Sequence, residues 1–331
     1  MYQLIKQRIK SVQWILATAG ISMCVSCSAQ QKAELAKTDS QKGSTEKTEH
    51  QSKAAILFDD FNYQDLNAFY QNGWKARTQT GHPGVKGASW SEEGISFLQA
   101  SEGALNGMAR ITSYTDGTAE NTLHTQICHA RKYREGTFAA RVYFRNKPTH
   151  GPDGDEVIQT FYVISPLKAP MDLDYSELDF EYLPNGGWGK GEHALWATSW
   201  ETFQLEPWTK VNENDTHFED LKGWHTLVLQ VGDNKVRYYV DGKMFAEHSD
   251  VIYPEERMSI NFNQWFTPEG PIDSKEKRVY QEDIDWVYHN ADEILSPLEV
   301  DRKVAELRKN KVNFRDTVSP GTPVLPSPCG L

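Results

Sequence analysis

The sequence predicts an all-β fold, an antiparallel β-sandwich followed by one helix. Three observations carry this. From Ile56 onward, short runs rich in β-branched and aromatic residues recur between Gly, Pro, Asn and Asp. Several of those runs alternate apolar and polar residues with period two, and their close spacing fits a sandwich rather than βαβ units.

Taken in order, the chain opens on a bacterial secretion signal over residues 1–26. Lys6, Arg8 and Lys10 form a basic start, and Val12 to Met23 form an apolar stretch too short to span a bilayer. The string Val25-Ser26-Cys27 resembles a lipobox, although Cys24 stands where Leu is usual. The resemblance implies cleavage before Cys27 and lipidation of it, giving an exported lipoprotein on the periplasmic or cell-surface side of a membrane. Ordinary cleavage and an uncleaved anchor are the alternatives. Residues 27–54 are rich in Lys, Glu, Gln, Ser and Thr. Such a segment buries too little to offset its ordering entropy, so it reads as a flexible tether of about 30 Å mean reach.

Residues 55–290 hold the strand-like runs GTFAARVYF, VIQTFYVIS, SELDFEYL, HALWATSW, HTLVLQV, KVRYYVDGK, MSINFNQWF and DIDWVYH. Asp241-Gly242 between two such runs predicts a tight hairpin. In residues 291–331, Ser296, Pro297 and Glu299 supply a cap, a first-turn proline and a capping-box partner. Val300, Val304 and Leu307 then share one face, predicting a helix to about Asn313. A strut docked on the sandwich is favoured over a partner-binding helix. The Pro-rich tail beyond it reads as disordered or extended.

Charge excludes one class of partner. Removing the signal takes three positive and no negative charges from a net −11, leaving −14. Nucleic-acid binding needs clustered Lys and Arg, which are absent here. A monomer is expected. An oxidising compartment permits a Cys128–Cys329 disulfide, but the Pro-rich setting of Cys329 favours a buried, unpaired Cys128. Past the signal segment, whose Cys24 and Cys27 are the one C-x-x-C spacing, no HExxH or CxxC pair is present, and the acidic run from Asp172 has Glu177 where an EF-hand needs Gly.

One segment carries chemistry. On a strand, Glu177, Asp179 and Glu181 point to one face, while Leu178, Phe180 and Tyr182 point to the core. A solvated face would mix charges. Three carboxylates at about 7 Å spacing instead repel by about 2 kcal/mol per neighbouring pair at an effective dielectric near 20. Crowding raises their pKa values, so one can hold a proton near neutral pH while another attacks as a carboxylate. The outer Cα atoms lie about 13 Å apart on a straight strand. Side chains leaning inward over Asp179 on a concave sheet can bring the carboxyls to the ~5–5.5 Å of a retaining glycosidase.

The run ELDFE matches the E-x-D-x-E signature of glycoside hydrolase family 16, which the chain resembles from about Phe58 to His289. FDDFN, EGTFAARVYF, VIQTFYVIS, GWHTLVLQV, RYYVDGK and DIDWVYH extend the likeness. The resemblance implies a concanavalin A-like β-jelly roll with a sugar cleft on its concave sheet. It also implies Glu177 as nucleophile, Glu181 as acid/base and Asp179 as the group tuning both. The unbulged spacing is that of lichenases and xyloglucan endotransglycosylases, whereas laminarinases and agarases insert a residue. The loop LPNGGWGKG departs from the short turn of lichenases.

Aromatic residues stack on the apolar faces of sugar rings. Asn263 and Trp265 match the family's N-L-W strand and are placed at the cleft border. Trp188, in a Gly-rich loop, is a rim subsite; Trp196 and Trp200 share a face and fit a subsite or the core equally. Trp74, Trp224 and Trp286 are assigned to the core. No cofactor is required, though the resemblance implies a structural calcium in some members, with Asp285 as its ligand here. The expected activity is retaining endo-hydrolysis of a β-linked, β-glucan-like polysaccharide. Two alternatives are a sugar-binding lipoprotein without catalysis and a transglycosylase using the same glutamates.

Overall fold

The computed structural model describes residues 54–99, 106–327 and 329–330. The signal segment, Cys27 and all but the last residue of the tether lie outside the described residues. The first strands are β1 (Ile56–Asp59), β2 (Lys75–Ala76), β3 (Ser89–Trp90), β4 (Ile95–Gln99), β5 (Gly107–Thr115) and β6 (Leu123–Cys128). Then come β7 (Gly136–Phe144), β8 (Val157–Ile164), β9 (Glu177–Leu183), β10 (Ala194–Gln204) and β11 (Thr209–Phe218). The last are β12 (Gly223–Gly232), β13 (Lys235–Val240), β14 (Lys243–Ser249), β15 (Ser259–Phe266), β16 (Arg278–Ala291) and β17 (Phe314–Asp316). Two α-helices, α1 (Leu66–Gln71) and α2 (Pro297–Lys309), and two short 3-10 turns, Glu92–Gly94 and Asp250–Ile252, complete the described elements.

The strands form two sheets. The front sheet runs β2-β6-β15-β8-β9-β10-β11, each neighbouring pair antiparallel, and β3 lies parallel to the start of β6. The back sheet runs β4-β5-β16-β7-β12-β13-β14, with β1 beside the second half of β16 and β17 beside β1. Period two explains why they stack. Leu178, Phe180 and Tyr182 of β9 face Phe138, Ala140 and Val142 of β7 and Leu227, Leu229 and Val231 of β12 in one buried core. The sheet registers leave the odd-numbered residues of β9 on the opposite, outer face.

The hairpin β13–β14 turns at Asp241 and Gly242, both with positive φ (50° and 78°), as the Asp-Gly pair requires. Helix α2 has the full capping box, Ser296 with Glu299, and ends at Asn310 rather than Asn313. It is a strut: Val300, Val304 and Leu307 pack on Phe58, Ala139, Val228, Trp286 and Tyr288 across the outer back sheet. Each fully buried Val or Leu there contributes roughly 1.5–3 kcal/mol.

Four expectations change: the loose tail, the unpaired Cys128, the core Trp224 and the calcium role of Asp285. Beyond the helix the chain returns to the sandwich as β17, so residues 291–331 are not merely a helix and a loose tail. The tail itself is held. Prolines lack N–H groups, so a Pro-rich strand offers mainly carbonyl acceptors. Arg257 Nη1 and Nη2 donate to Pro320 O and Pro323 O, both at 2.7 Å, and Arg131 Nη2 donates to Gly330 O at 2.6 Å. That docking brings Cys329 to Cys128, and the two form a disulfide with Cα atoms 5.5 Å apart; Cys128 is not unpaired. Trp74 and Trp286 are core residues, but Trp224 is half-buried on the back sheet beneath the Arg141 guanidinium, 4.5 Å from its ring centre.

Asp285 does not fit the role of calcium ligand that the resemblance implied. Its carboxylate, fully buried, accepts from Arg141 Nη1 at 2.6 Å and Arg308 Nη2 at 2.7 Å. Arg308 also pairs with buried Asp60. Two guanidiniums occupy the oxygens that a calcium, wanting six to eight oxygen ligands, would need. The donor set does not fit that ion. Arg308→Ala would leave Asp60 without its cation and Asp285 with one fewer. A loss of about 3–5 kcal/mol is expected from such a broken buried pair, read by urea denaturation at neutral pH. Unfolding at the wild-type midpoint would show that this cross-link does not hold α2 to the sandwich.

Candidate active site

The three acidic residues sit inside the front sheet because β9 is its fifth strand of seven, between β8 and β10. Register with both neighbours is continuous, with no bulge. Glu177, Asp179 and Glu181 face Ile164, Tyr162 and Thr160 of β8 on one side. On the other they face Trp200, Thr198 and Trp196 of β10. Residues on one rung share a face, so Trp196 and Trp200 necessarily flank the two glutamates. Together these residues line a cleft of about 510 Å³ that also takes in Trp188, Asn263 and Trp265. Every residue singled out in the sequence for catalysis or sugar contact therefore meets in one depression.

Their states differ. Tyr175 donates its hydroxyl to Glu177 Oε2 at 2.5 Å, and Trp200 Nε1 donates to Asp179 Oδ2 at 2.9 Å. Burial pushes the Glu177 carboxyl up to about 7, against the opposing hydrogen bonds of Tyr175 and Asp179. Burial, then the charge of Glu177, pushes Glu181 up to about 8, with Lys210 opposing. Asp179 lies between both glutamates; burial and their two charges push it well above the usual carboxylate range. A protonated Asp179 can donate to Glu177, as Tyr175 does, so the negative charge settles on Glu177. Glu181 keeps its proton longest of the two glutamates.

The aromatic residues divide by exposure. Trp188 is 44% exposed. It takes a positive φ of 50° within a Gly-rich turn where Gly186 and Gly187 also have positive φ. A Cβ on Gly186 would lie 2.5 Å from Lys190 O, so only glycine lets the loop hold the indole there. Its ring meets Trp196 at 5.7 Å and Trp265 at 6.2 Å. Trp196 lines the cleft, and its Nε1 is buried without a protein acceptor. Asn263 and Trp265 form the floor. The Asn263 amide is engaged by Thr160 Oγ1 at 2.8 Å and by Tyr162 OH at 3.1 Å.

Sequence reasoning missed several residues. Tyr175 has the same parity as Glu177, and the period-two rule could have found it. Strand β11 was missed because, as the last strand of its sheet and largely exposed, it lacks an apolar alternation. Its pairing with β10 brings Lys210, Asn212 and Asn214 into the cleft. A register shift between Trp200 and Thr202 leaves Glu201 unmatched and turns Phe203 toward the cleft. There it packs with Trp208, 54% exposed, at 5.9 Å. Arg77 shapes the other wall, donating to the carbonyls of Gln79, Gly81 and His82.

No protein-family model matches the chain, and no curated protein matches it. Solved structures do. A β-glucanase of Bacillus licheniformis, 15% identical, aligns over 72% of this chain and 99% of its own with a TM-score of 0.51. A glycoside hydrolase family 16 endo-glucanase from Bacteroides ovatus, 14% identical, aligns over 70% and 98% with a TM-score of 0.53. A laminarinase from Flavobacterium sp. UMI-01, 15% identical, aligns over 71% and 99% with a TM-score of 0.51. The chain has the jelly-roll fold of glycoside hydrolase family 16. In this chain the front sheet carries the acidic strand, and the back sheet carries α2.

The raised carboxyls have a measurable consequence for stability. Glu177 and Glu181 hold protons in the folded chain up to about 7 and about 8, but release them near the ordinary value of 4.5 when unfolded. The folded state therefore binds more protons between those limits, and stability falls as pH rises through them. Glu181→Gln removes one such group. Its melting temperature should match the wild type at pH 5 and exceed it at pH 8; parallel melting curves across that range would remove the basis for a protonated Glu181.

Proposed function

We propose that this chain is a retaining glycoside hydrolase of family 16 that cleaves a β-linked, β-glucan-like polysaccharide internally. The observation that carries the reading is the unequal setting of two glutamates on one unbulged strand. Glu177 accepts from Tyr175, with Asp179 beside it, whereas Glu181 keeps its proton to about 8. A sugar bound over Asp179 would be attacked at its anomeric carbon by the Glu177 carboxylate while Glu181 protonates the departing glycosidic oxygen. Asp179, hydrogen-bonded to Trp200, would hold both glutamates in place and supply a donor to Glu177. Glu181, now ionised, then takes a proton from water, which opens the covalent glycosyl–Glu177 ester. A sugar hydroxyl in place of water would make the same step a transglycosylation. The fold's likeness to a β-glucanase, an endo-glucanase and a laminarinase supports the substrate class.

Two inversions give net retention, so the first product should be the β-anomer. Proton NMR of a fresh digest, read before mutarotation, tests this. The substrate is chosen from a panel of β-glucans, xyloglucan and algal galactans. Glu177→Gln should lose turnover by a factor on the order of 10⁴ or more while staying folded, because the attacking carboxylate is gone. An initial α-anomer, or near-normal turnover in the folded variant, would exclude this mechanism.

The reading includes export and lipid anchoring at Cys27, supported by the basic start, the apolar stretch and the Val25-Ser26-Cys27 string. The tether of residues 27–54 would then hold the sandwich off the membrane surface, where a polymer can reach the cleft. In the native host the mature protein should enter the detergent phase on phase partitioning, and Cys27→Ser should move it to the aqueous phase. Wild-type protein that is wholly aqueous and still carries residues before Cys27 would exclude the anchor.

A further inference from the structure

The cleft runs across the front sheet, and toward one of its ends chain that belongs to no strand joins its lining. Gly330 lines the cleft together with Arg77, His82 and Gln126 at the β2–β6 edge. The reason lies in the register. Asp179 pairs with Tyr162, Tyr162 with Asn261, Asn261 with Cys128, and Cys128 with Lys75, so all five occupy one rung of the sheet. Residues on a rung share a face, so Cys128 points to the same side as Asp179, while its neighbour Ile127 lies in the core between the sheets. A cysteine on that face would stand in the open cleft, yet Cys128 is fully buried with Cys329, itself buried, bonded to it.

We infer that the tail segment ending at Cys329 and Gly330 is a stapled end-wall that limits how many sugar units fit between the catalytic carboxylates and the β6 edge. This rests on the glycosidase reading and adds to it the length of the bound chain on that side. Three strand spacings separate Asp179 from Cys128, about 14 Å at ~4.8 Å each. A pyranose unit is about as long as one strand spacing, so only a few units fit before the polymer meets the wall. The wall is fixed at several points. The disulfide ties Cys329 to β6, and Arg131, itself buried, donates to Gly330 O. Ser327 Oγ donates to His129 O at 3.3 Å, and Arg257 holds Pro320 and Pro323. These anchors on the chain just beyond β6 and at Arg257 keep a segment poor in N–H groups from swinging clear.

Two substitutions in the full chain move the wall in opposite directions. Cys329→Ser releases the staple and should open further subsites. Gly330→Trp should extend the wall, since a Cβ at Gly330 meets no atom within 4 Å and its backbone φ is unremarkable for a side chain. The readout is the length distribution of the first products, with kcat/KM on a ladder of oligosaccharides, for the panel polymer on which the wild type is most active. Cys329→Ser should shift products to greater length and raise kcat/KM selectively on the longer oligosaccharides, by about tenfold if one further sugar contact of ~1.4 kcal/mol is gained. Gly330→Trp should shorten the products and lower kcat/KM on the same long oligosaccharides, with the shortest cleavable one unaffected. Melting curves show which variants fold, and if Cys329→Ser does not, Gly330→Trp decides. Unchanged product lengths in folded variants would overturn the end-wall while leaving the glycosidase reading intact. A wild type that cleaves nothing in the panel would remove both.

Discussion

The molecule is organised around the repulsion of three carboxylates on one face of β9. Glu177, Asp179 and Glu181 cannot all be ionised at the floor of a cleft where burial raises each of them. The surroundings settle which one carries charge. Tyr175 and Trp200 each give a hydrogen bond to the group, and Lys210 adds a positive charge from β11. Beneath β9, Leu178, Phe180 and Tyr182 anchor the strand in the sandwich core. The acidic face is therefore held rigidly by the apolar one, and the repulsion cannot relax by moving the strand.

The two sheets serve different ends. The back sheet is a platform: α2 covers its outer face, and Arg308 reaches from the helix to Asp60 and Asp285, internal cations where the resemblance had implied a metal. A guanidinium brings its charge with the polypeptide and needs no ion from solution. The front sheet leaves its outer face open, and its aromatic residues come from three sources. Trp196 and Trp200 follow from pairing with β9, Trp265 from β15, and Trp188 from a loop whose glycines alone permit its backbone conformation.

Much of this was legible in the sequence. Strands β7, β8, β9, β12 and β15 coincide with runs whose alternation or β-branched content marks them, because side-chain period two is a property of the extended backbone. The capping box of α2 is equally local, made by Ser296 and Glu299 three residues apart. Strand β11 was not legible, since a polar, mostly exposed strand carries no hydrophobic pattern. Nor was α1, a helix of six residues with one buried side chain, Phe69.

The sequence by itself determined that three carboxylates would share one strand face and that apolar residues would back them. Both follow from the chain's own geometry. The tertiary structure alone decided what surrounds them: the tyrosine and tryptophan that bias the proton, the cleft wall from β11, the arginines that displaced the expected calcium ligand role of Asp285. It also decided the fate of the tail. Composition reads a Pro-rich segment as unable to form a core, and that is correct. Whether its unused carbonyls find donors depends on Arg131 and Arg257, distant in sequence and brought to it only by the folded sandwich. Contacts between residues far apart along the chain leave no periodic trace in it, so only the fold decided between a paired and an unpaired Cys128.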